Sequence, residues 1–274
     1  MSDYAEFGKA ERDGWSEPGT AASYADGFAS AAEHCVAPIV SAAGVAVGST
    51  ALDVCCGQGI VAAGLAATGA AVTGLDFSPA MLDIARQRVP GVIFREGDAR
   101  SLPFEAGSFD AVTMGFGMLH IPEPETAIAE VRRVLKPGGR FVYSVWHAPD
   151  QSAAFRIVFG AIAAHGDPAV TLPPGPPIHA FADPEIAFAA LGAAGFTGAK
   201  LETADAYWVV DDPGRPFDHF LGGTVRGALL LRSQPKAHAA AIRAAVADQV
   251  RTEFGSRPPW RVPIPAAAVS AVAG

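Results

Sequence analysis

Between residues 50 and 146, five short apolar runs alternate with segments of helical periodicity. The runs are TALDVCC, AAVTGLD, VIFREGD, FDAVTMGFG and RFVYSVW, and the helical segments include GIVAAGLAATG, PAMLDIARQRV and PETAIAEVRRVL. Two parallel strands need a long crossover connection between them, and a helix is the usual one. The alternation therefore predicts an α/β fold in which a mostly parallel sheet carries helices on both faces.

The segments on either side of this region have other patterns. Residues 1–20 are predicted to be irregular, and residues 21–43 to form a helix that Pro38 kinks or splits. After Trp146 the proline-rich stretch LPPGPPIHAF predicts a loop. A helix is predicted from Pro184, a strand over KLETADAYWVV, a helix over PKAHAAAIRAAVADQVRTEF and a final edge strand over RVPIPAAAVSAVAG, because edge strands tolerate proline.

Charge and cysteine content exclude several classes of protein. The 28 acidic residues exceed the 20 basic ones, and a formal net charge of −8 argues against a nucleic-acid partner. Adjacent Cys55 and Cys56 lack the spacing of a zinc pair, so we predict reduced thiols and no metal site. The uncharged stretch between Asp53 and Asp76 is long enough to cross a bilayer. It is rich in glycine and alanine and breaks into strand, turn and helix, so we expect no membrane partner. The N-terminus, MSDYAEFGKAERDGW, is polar and charged, so we expect no secretory signal and a cytoplasmic protein.

Acidic residues mark the ends of three successive predicted strands. Asp53 lies inside the first strand, where a residue with a purely structural role would be apolar. Gly57 and Gly59 follow it in the turn. Asp76 ends the second strand and Asp98 follows the third. The carboxyl ends of parallel strands form the ligand-binding edge of such sheets, and glycines there let the backbone approach a ligand closely. These residues together predict a site for a nucleotide-like ligand.

These motifs resemble those of the class I S-adenosylmethionine (SAM)-dependent methyltransferases. The resemblance rests on LDVCCGQG, GLDFSPAMLDIAR, REGDARSLPF, FDAVTMGFGMLHI and VLKPGGRFVYSVW, in this order. It implies a Rossmann-like, seven-stranded, mostly parallel sheet with an N-terminal helical cap and an insertion after strand five. It also implies one domain over residues 1–274, divided into a cap (1–45), a SAM-binding core (46–147) and an acceptor-lid insertion with C-terminal strands (148–274).

Carried over position by position, the resemblance implies a set of SAM-binding residues: Tyr24, Asp53, Cys55, Gly57, Gln58, Gly59, Asp76, Phe77, Met81, Asp98, Ala99 and Phe116. Asp53 is expected to hold the ammonium group of the methionine moiety. Asp76 is expected to bind the ribose hydroxyls and Asp98 the adenine amine.

The remaining implied roles concern side chains around the ligand. Phe77 and Met81 are expected against the adenine, Phe116 beside the path to the sulfonium and Tyr24 over the methionine end. The family usually has glycine where Cys55 stands, so the thiol narrows the turn. We expect SAM binding, with S-adenosylhomocysteine (SAH) as product, to be retained.

Methyl transfer needs a general base only when the acceptor arrives protonated. His120, just beyond the fourth strand, is the first candidate, because histidine titrates near neutrality. His147, at the end of the fifth strand, is the second, and His179 in the proline-rich loop is a weaker third. Each histidine also has a structural interpretation, for example His120 as a cap of the next helix.

We therefore predict methylation of a small-molecule acceptor, a natural product or quinone-like metabolite of secondary metabolism, by a monomer or homodimer. The acceptor atom stays open. The alternatives are an NAD-dependent oxidoreductase, which would not need Asp53 and Asp98, and a non-enzymatic SAM-binding regulatory protein.

Two further patterns are ambiguous. Asp211 and Asp212 are typical of a solvated turn more than of a metal pair. Four aromatic residues fit either an acceptor pocket or a core, namely Trp208, Phe217, Phe220 and Trp260.

Overall fold

The computed structural model describes residues 4–274. Nine strands are present in this part of the chain: β1 (Thr50–Val54), β2 (Ala71–Asp76), β3 (Ile93–Glu96), β4 (Phe109–Gly115), β5 (Leu135–Trp146), β6 (Phe196–Ala204), β7 (Tyr207–Val210), β8 (Trp260–Pro263) and β9 (Ala266–Ala273). Seven of them form one sheet in the order β3-β2-β1-β4-β5-β9-β6. β7 and β8 form a separate antiparallel pair.

The first five strands of the large sheet are parallel, and β9 runs antiparallel between β5 and β6. Strand order reverses at β1, because β2 pairs with one side of it and β4 with the other. Ligands bind beside such switch points at the carboxyl ends of the strands. The predicted α/β class and the seven-stranded, mostly parallel sheet are confirmed.

Twelve α-helices accompany these strands: α1 (Ala5–Ser16), α2 (Pro18–Asp26), α3 (Phe28–Ala32), α4 (Val36–Ala43), α5 (Ile60–Ala66), α6 (Pro79–Arg88), α7 (Pro124–Val134), α8 (Ala153–His165), α9 (Pro184–Ala193), α10 (Arg215–Gly223), α11 (Val225–Arg232) and α12 (Lys236–Phe254). As predicted, Ser78 caps α6, where its hydroxyl accepts a hydrogen bond from the amide of Met81, and Pro79 is the first helical residue.

The prediction for the N-terminal segment was wrong. Of residues 1–20, residues 1–3 lie outside the described part, and the rest hold α1 and the start of α2. The single helix expected over residues 21–43 is broken at Gly27 and again at the 3₁₀ turn Glu33–Cys35. Pro38 lies in the first turn of α4, where its missing N–H removes no hydrogen bond from the helix.

Two predictions for the C-terminal half were also wrong. KLETADAYWVV is divided between β6 and β7, which belong to different sheets. The last strand, β9, is not an edge strand, because it pairs with β5 on one side and β6 on the other. The two prolines of the predicted edge strand, Pro263 and Pro265, lie before Ala266, where β9 begins. Every residue of Ala266–Ala273 therefore has a backbone N–H that can pair.

Two groups of buried side chains cover the two faces of the large sheet. One includes Leu52, Val112, Tyr143 and Val269 from the strands and α7 and α9 outside them. The other joins α4 and α5 to the sheet and continues into α8, α10 and α12. Burial of this apolar area is the main force that holds the sheet and helices together.

Two insertions extend the sheet at the carboxyl ends of its strands. The one after β5, which was predicted, contains α8 and the proline-rich loop. The other lies between β6 and β9 and contains β7, β8 and three helices. No helix in residues 4–274 is long and apolar enough to span a membrane.

Candidate active site

A cavity of about 820 Å³ opens at the carboxyl ends of β1, β2 and β4. Its walls come from α1, α2, the turn after β1, the ends of β2, β4 and β5, and the two insertions. Of the twelve residues predicted to bind SAM, eleven line it: Tyr24, Asp53, Cys55, Gly57, Gln58, Asp76, Phe77, Met81, Asp98, Ala99 and Phe116. The twelfth, Gly59, lies behind the turn, where a Cβ atom would be 3.2 Å from the ring of Phe94.

The turn after β1 has a left-handed backbone at three positions. The φ angles are 53° at Cys55, 52° at Gly57 and 80° at Gly59. Glycine adopts this region without steric cost, whereas a residue with a side chain, such as Cys55, does so at a cost of order 1 kcal/mol. The amide of Cys56 donates to the carbonyl of Leu75 on the neighbouring strand and so ties the turn to β2.

Asp53 is a buried carboxylic acid with one oxygen left over. Its Oδ1 accepts a hydrogen bond of 2.7 Å from the hydroxyl of Thr113 on β4, while Oδ2 has no partner within residues 4–274. Burial raises the pKa of Asp53 to about 7, and the bond from Thr113 opposes this. Gln58 is also buried and lines the same cavity, and its Nε2 atom has no hydrogen-bond partner among residues 4–274. Buried polar groups without partners are rare, so both atoms fit a polar ligand.

Asp76 links β2 to the turn. Its Oδ2 accepts a 2.8 Å hydrogen bond from the amide of Gly57, and its Oδ1 accepts a 2.9 Å bond from the amide of Ser78. Burial raises the pKa of Asp76, and the two backbone bonds, together with the nearby charge of His120, lower it. Each oxygen keeps a further lone pair, which can accept a hydroxyl of a ribose.

Asp98 is held by two arginines. Arg100 donates to both oxygens from its backbone amide, Nε and Nη2 atoms at 2.7–3.0 Å, and Arg12 of α1 donates to Oδ2 at 3.3 Å. The hydrogen bonds from Arg100 lower the pKa of Asp98 to about 2. The carboxylate is therefore ionised at neutral pH, and Arg12 lies across it and over the ring of Phe77 at 5.4 Å.

Helix α1 closes one side of the cavity and supplies residues that the sequence interpretation missed. Glu11 is buried, and its Oε2 lies 2.7 Å from Nδ1 of His120 and 3.0 Å from Nε1 of Trp15. The hydroxyl of Ser78 donates to the carbonyl of Trp15 at 2.6 Å. Tyr24 of α2 meets Trp15 edge to face at 5.5 Å. Glu11 stands at a position of α1 that faces the protein interior, where an apolar residue is expected. An acidic side chain at such a position was the only feature of the sequence that could have identified it.

The other side of the cavity is aromatic. Phe116, with a left-handed φ of 57°, stacks on Trp146 at 3.9 Å between ring centroids. Phe28, Phe155 and Phe220 pack against this pair or against one another at 5.2–5.9 Å between ring centroids. This wall lies beyond β4 and β5, so the cavity has a polar half at β1–β3 and an aromatic half at β4–β5.

The structure separates the three histidines. His120 and His179 line the cavity, whereas His147 does not. Nε2 of His147 lies 3.1 Å from the hydroxyl of Thr203, and burial lowers its pKa. Nδ1 of His179 donates to the carbonyl of Trp146 at 2.9 Å, and burial lowers its pKa as well.

The aromatic candidates divide similarly. Phe220 lines the cavity, whereas Trp208, Phe217 and Trp260 are buried in the core away from it. Asp212 accepts a hydrogen bond from the amide of Gly214 in a turn and pairs with a surface arginine. Within the described residues, no cluster of histidine, cysteine or acidic side chains could hold a metal ion.

The polar half of the cavity fits SAM in its donor and acceptor groups. The free oxygen of Asp53 suits an ammonium group, the Asp76 carboxylate suits two hydroxyls and Gly57 leaves open space where a Cβ atom would project. Asp53 and Asp76 carry hydrogen bonds that hold their carboxylates toward this half. Nothing in this set requires a nicotinamide.

Comparison with known proteins agrees with this geometry. The family described as "Methyltransferase domain" matches residues 52–143. The demethylmenaquinone methyltransferase of Renibacterium salmoninarum is 40% identical over 132 residues, which are 48% of this chain and 55% of that protein. The chain thus spans about half the length of the curated relatives it matches.

Two solved structures share the fold at low identity. The YcgJ protein from Bacillus subtilis has a TM-score of 0.58 and 20% identity over 87% of this chain and 97% of that one. Phosphoethanolamine N-methyltransferase 2 from Haemonchus contortus, in complex with SAH, has a TM-score of 0.52 and 19% identity over 86% of this chain and 52% of that one. Residues 52–143 are thus similar to a methyltransferase domain, and the same part of the chain is similar to demethylmenaquinone methyltransferases.

Proposed function

We propose that this protein transfers a methyl group from SAM to a small-molecule acceptor. The observation that carries the proposal is the convergence of Asp53, Asp76 and Asp98 on one wall of a single cavity, beside the turn after β1. Three carboxylates at neighbouring strand ends match the three polar parts of SAM, namely the ammonium, the ribose hydroxyls and the adenine amine. The relatives named as methyltransferases support the same activity.

SAM, when bound, supplies an electrophilic methyl group on a positively charged sulfur. The residues of this chain then have two tasks, which are to align the acceptor with that carbon and to exclude water. Alignment of this kind contributes up to ~7–11 kcal/mol to catalysis. Asp76 fixes the turn by accepting a hydrogen bond from the Gly57 amide. Helix α1 closes the cavity through two contacts, Glu11 with His120 and Arg12 with Asp98.

The acceptor occupies the aromatic half in this proposal. The stacked pair Phe116 and Trp146, together with Phe155, Phe159 and Phe220, forms a wall suited to a flat apolar molecule. A quinone-like acceptor fits such a wall and agrees with the names of the curated relatives. The two insertions that supply Phe155, Phe159 and Phe220 act as its lid.

A thermal-shift comparison of SAM, SAH and NAD tests the cofactor. A ligand that binds only the native state raises the unfolding midpoint, so SAM and SAH should raise it and NAD should not. A shift with NAD alone would overturn the proposal in favour of an oxidoreductase. Turnover of radiolabelled SAM with a library of small phenols, amines and quinols tests the activity. SAM binding with no turnover across the library would favour a regulatory SAM-binding protein.

A further inference from the structure

A buried carboxylate on α1 holds the histidine that follows β4. Glu11 is 2% exposed, and its Oε2 atom is within hydrogen-bond distance of both Nδ1 of His120 and Nε1 of Trp15. Burying a carboxylate costs free energy unless donors surround it. Both donors here come from side chains that line the cavity, so the site is built around Glu11.

The hydrogen-bond pattern determines which ring nitrogen of His120 carries the proton. The indole N–H of Trp15 can only donate, so Oε2 of Glu11 acts as an acceptor toward it at 3.0 Å. The longer separation of 3.4 Å from Trp15 to Nδ1 of His120 is the weaker alternative. Nδ1, at 2.7 Å from the same oxygen, therefore donates its own proton to Glu11. In the neutral imidazole this leaves Nε2 as the acceptor.

His120 lines the same cavity as the turn after β1. It ends the 3₁₀ turn Met118–His120, which begins directly after Gly117. A Cβ atom on Gly117 would lie 2.5 Å from the Cβ of Cys55, so this segment packs on the turn that faces the methionine end of the ligand.

We propose that Glu11 is a positioning residue that makes His120 the general base for an acceptor with an acidic hydroxyl on an aromatic ring. This inference rests on the proposed function and adds the class of acceptor and the path of the proton. As the acceptor oxygen forms its bond to the methyl carbon, the bond from that carbon to sulfur breaks. The hydroxyl proton moves to Nε2 of His120, and the imidazolium is stabilised by Glu11 at Nδ1.

The acceptor class follows from the two halves of the site. A base is needed only for an acceptor that arrives protonated, which excludes a tertiary amine or a thioether. The wall beyond His120 is aromatic, with the Phe116–Trp146 stack at its centre. A phenol, naphthol or hydroquinol presents one flat apolar face and one acidic hydroxyl, and so matches both halves.

The test uses the full-length protein in complex with SAH and two matched probes. 4-Nitrophenol changes its absorbance when it ionises, and 4-nitroanisole has the same ring but no proton to lose. The variants are Glu11→Gln and His120→Asn, and Glu6→Gln is the control, because Glu6 is exposed on the same helix and does not line the cavity.

We expect wild type and Glu6→Gln to bind 4-nitrophenol with increased ionisation, and to bind 4-nitroanisole without an optical change. In Glu11→Gln the ionisation equilibrium of bound 4-nitrophenol should fall about tenfold, because a charge-assisted hydrogen bond is replaced by a neutral one. In His120→Asn the excess ionisation should disappear. Each variant should unfold in one cooperative thermal transition whose midpoint SAH raises, which shows that it folds.

Several results would overturn the inference. One is that the two nitro probes behave alike in the wild-type protein, which includes the case in which neither binds. Another is that the ionisation of bound 4-nitrophenol is unchanged in Glu11→Gln. An imidazole ¹⁵N spectrum of His120 with the proton on Nε2 would contradict the tautomer assigned to it. A loss of SAH binding by the wild-type protein would instead contradict the proposed function, so the two failures are distinguishable.

Discussion

The Cβ atom of Cys55 occupies the space into which a side chain at residue 117 would project, and Gly117 has no side chain. A Cβ atom on Gly117 would lie 2.5 Å from the Cβ and 2.9 Å from the Sγ of Cys55. The turn after β1 and the exit of β4 are therefore matched to each other. This contact explains how a thiol is accommodated at a left-handed position of the backbone.

Gly117→Ala should disturb this contact. The new methyl group would collide with Cys55 and with Cγ of Met114 at 2.8 Å, so we expect a loss of about 1–3 kcal/mol in unfolding free energy and weaker SAM binding. Urea denaturation and calorimetry measure the two effects. Cys55→Gly alone should bind SAM normally, and Cys55→Gly with Gly117→Ala should recover part of the loss, because the contact with Met114 remains. Additive effects of the two changes would disprove the contact.

SAM binding should be coupled to the ionisation of Asp53. The pKa of this carboxyl is raised from 3.8 to about 7, so in the free protein its contribution to stability is present below about pH 4 and is lost as pH rises to about 7. An ammonium group beside Oδ2 favours the ionised form. Below pH 7 binding should thus release a proton, and affinity should rise with pH until about pH 7.

Calorimetry in two buffers with different ionisation enthalpies measures this proton release. Asp53→Asn should bind SAM more weakly and lose the pH dependence. Asp83→Asn, an exposed change on α6, should retain it. Equal proton release by wild type and Asp53→Asn would assign the titration to another group.

Asp76→Ala should weaken SAH binding by at least about tenfold. The substitution removes the acceptor for the amides of Gly57 and Ser78, and each hydrogen bond to a charged group is worth about 1.5–3 kcal/mol. The turn then loses one of its hydrogen bonds to β2, while that from Cys56 to Leu75 remains, and it loses its ribose acceptor. Asp76→Asn, which keeps one acceptor oxygen, should fall between wild type and Asp76→Ala. An unchanged dissociation constant in both variants would exclude Asp76 from the site.

Arg12→Ala should speed the dissociation of SAH with little effect on stability. The guanidinium is half-exposed and reaches Asp98 at 3.3 Å and the Phe77 ring at 5.4 Å. An ion pair of this exposure contributes less than about 1 kcal/mol to folding. It nevertheless joins α1 to the adenine side of the cavity. Stopped-flow displacement of SAH measures the rate, with Arg86→Ala on the surface of α6 as the control. No change in rate would show that α1 does not retain the ligand.

His147→Ala should leave the turnover number near that of wild type, whereas His120→Ala should lower it. His147 lies outside the cavity wall and bonds Thr203, so its removal should cost about 1–3 kcal/mol of stability through the unpaired hydroxyl and the void. Steady-state kinetics with a working acceptor, beside thermal unfolding, separates the two effects. A large fall in turnover for a fully folded His147→Ala variant would make His147 catalytic.

The local sequence pattern was sufficient to predict elements that their own residues identify. The apolar run TALDV, the Ser78–Pro79 helix start and the glycines after β1 are short-range features, and the structure places them as expected. Pattern failed over residues 4–20, whose polar composition hid an amphipathic helix that buries Phe7 and Trp15. It also failed for the final strand, because neither the antiparallel pairing of β9 nor its place between β5 and β6 is visible in its own residues.

The sequence by itself determined the alternation of strands and helices, and with it which residues stand at strand ends, because the direction of a parallel strand places its last residues at one edge of the sheet. Only the tertiary structure decided which of these residues meet. Glu11 and His120 are separated by 109 positions, and Asp53 and Thr113 by 60, yet each pair shares a hydrogen bond. The first pairing depends on how α1 packs against α2, α6 and α11, and the second on the pairing of β4 with β1. Both arrangements are set by apolar burial over the whole domain and not by any local motif.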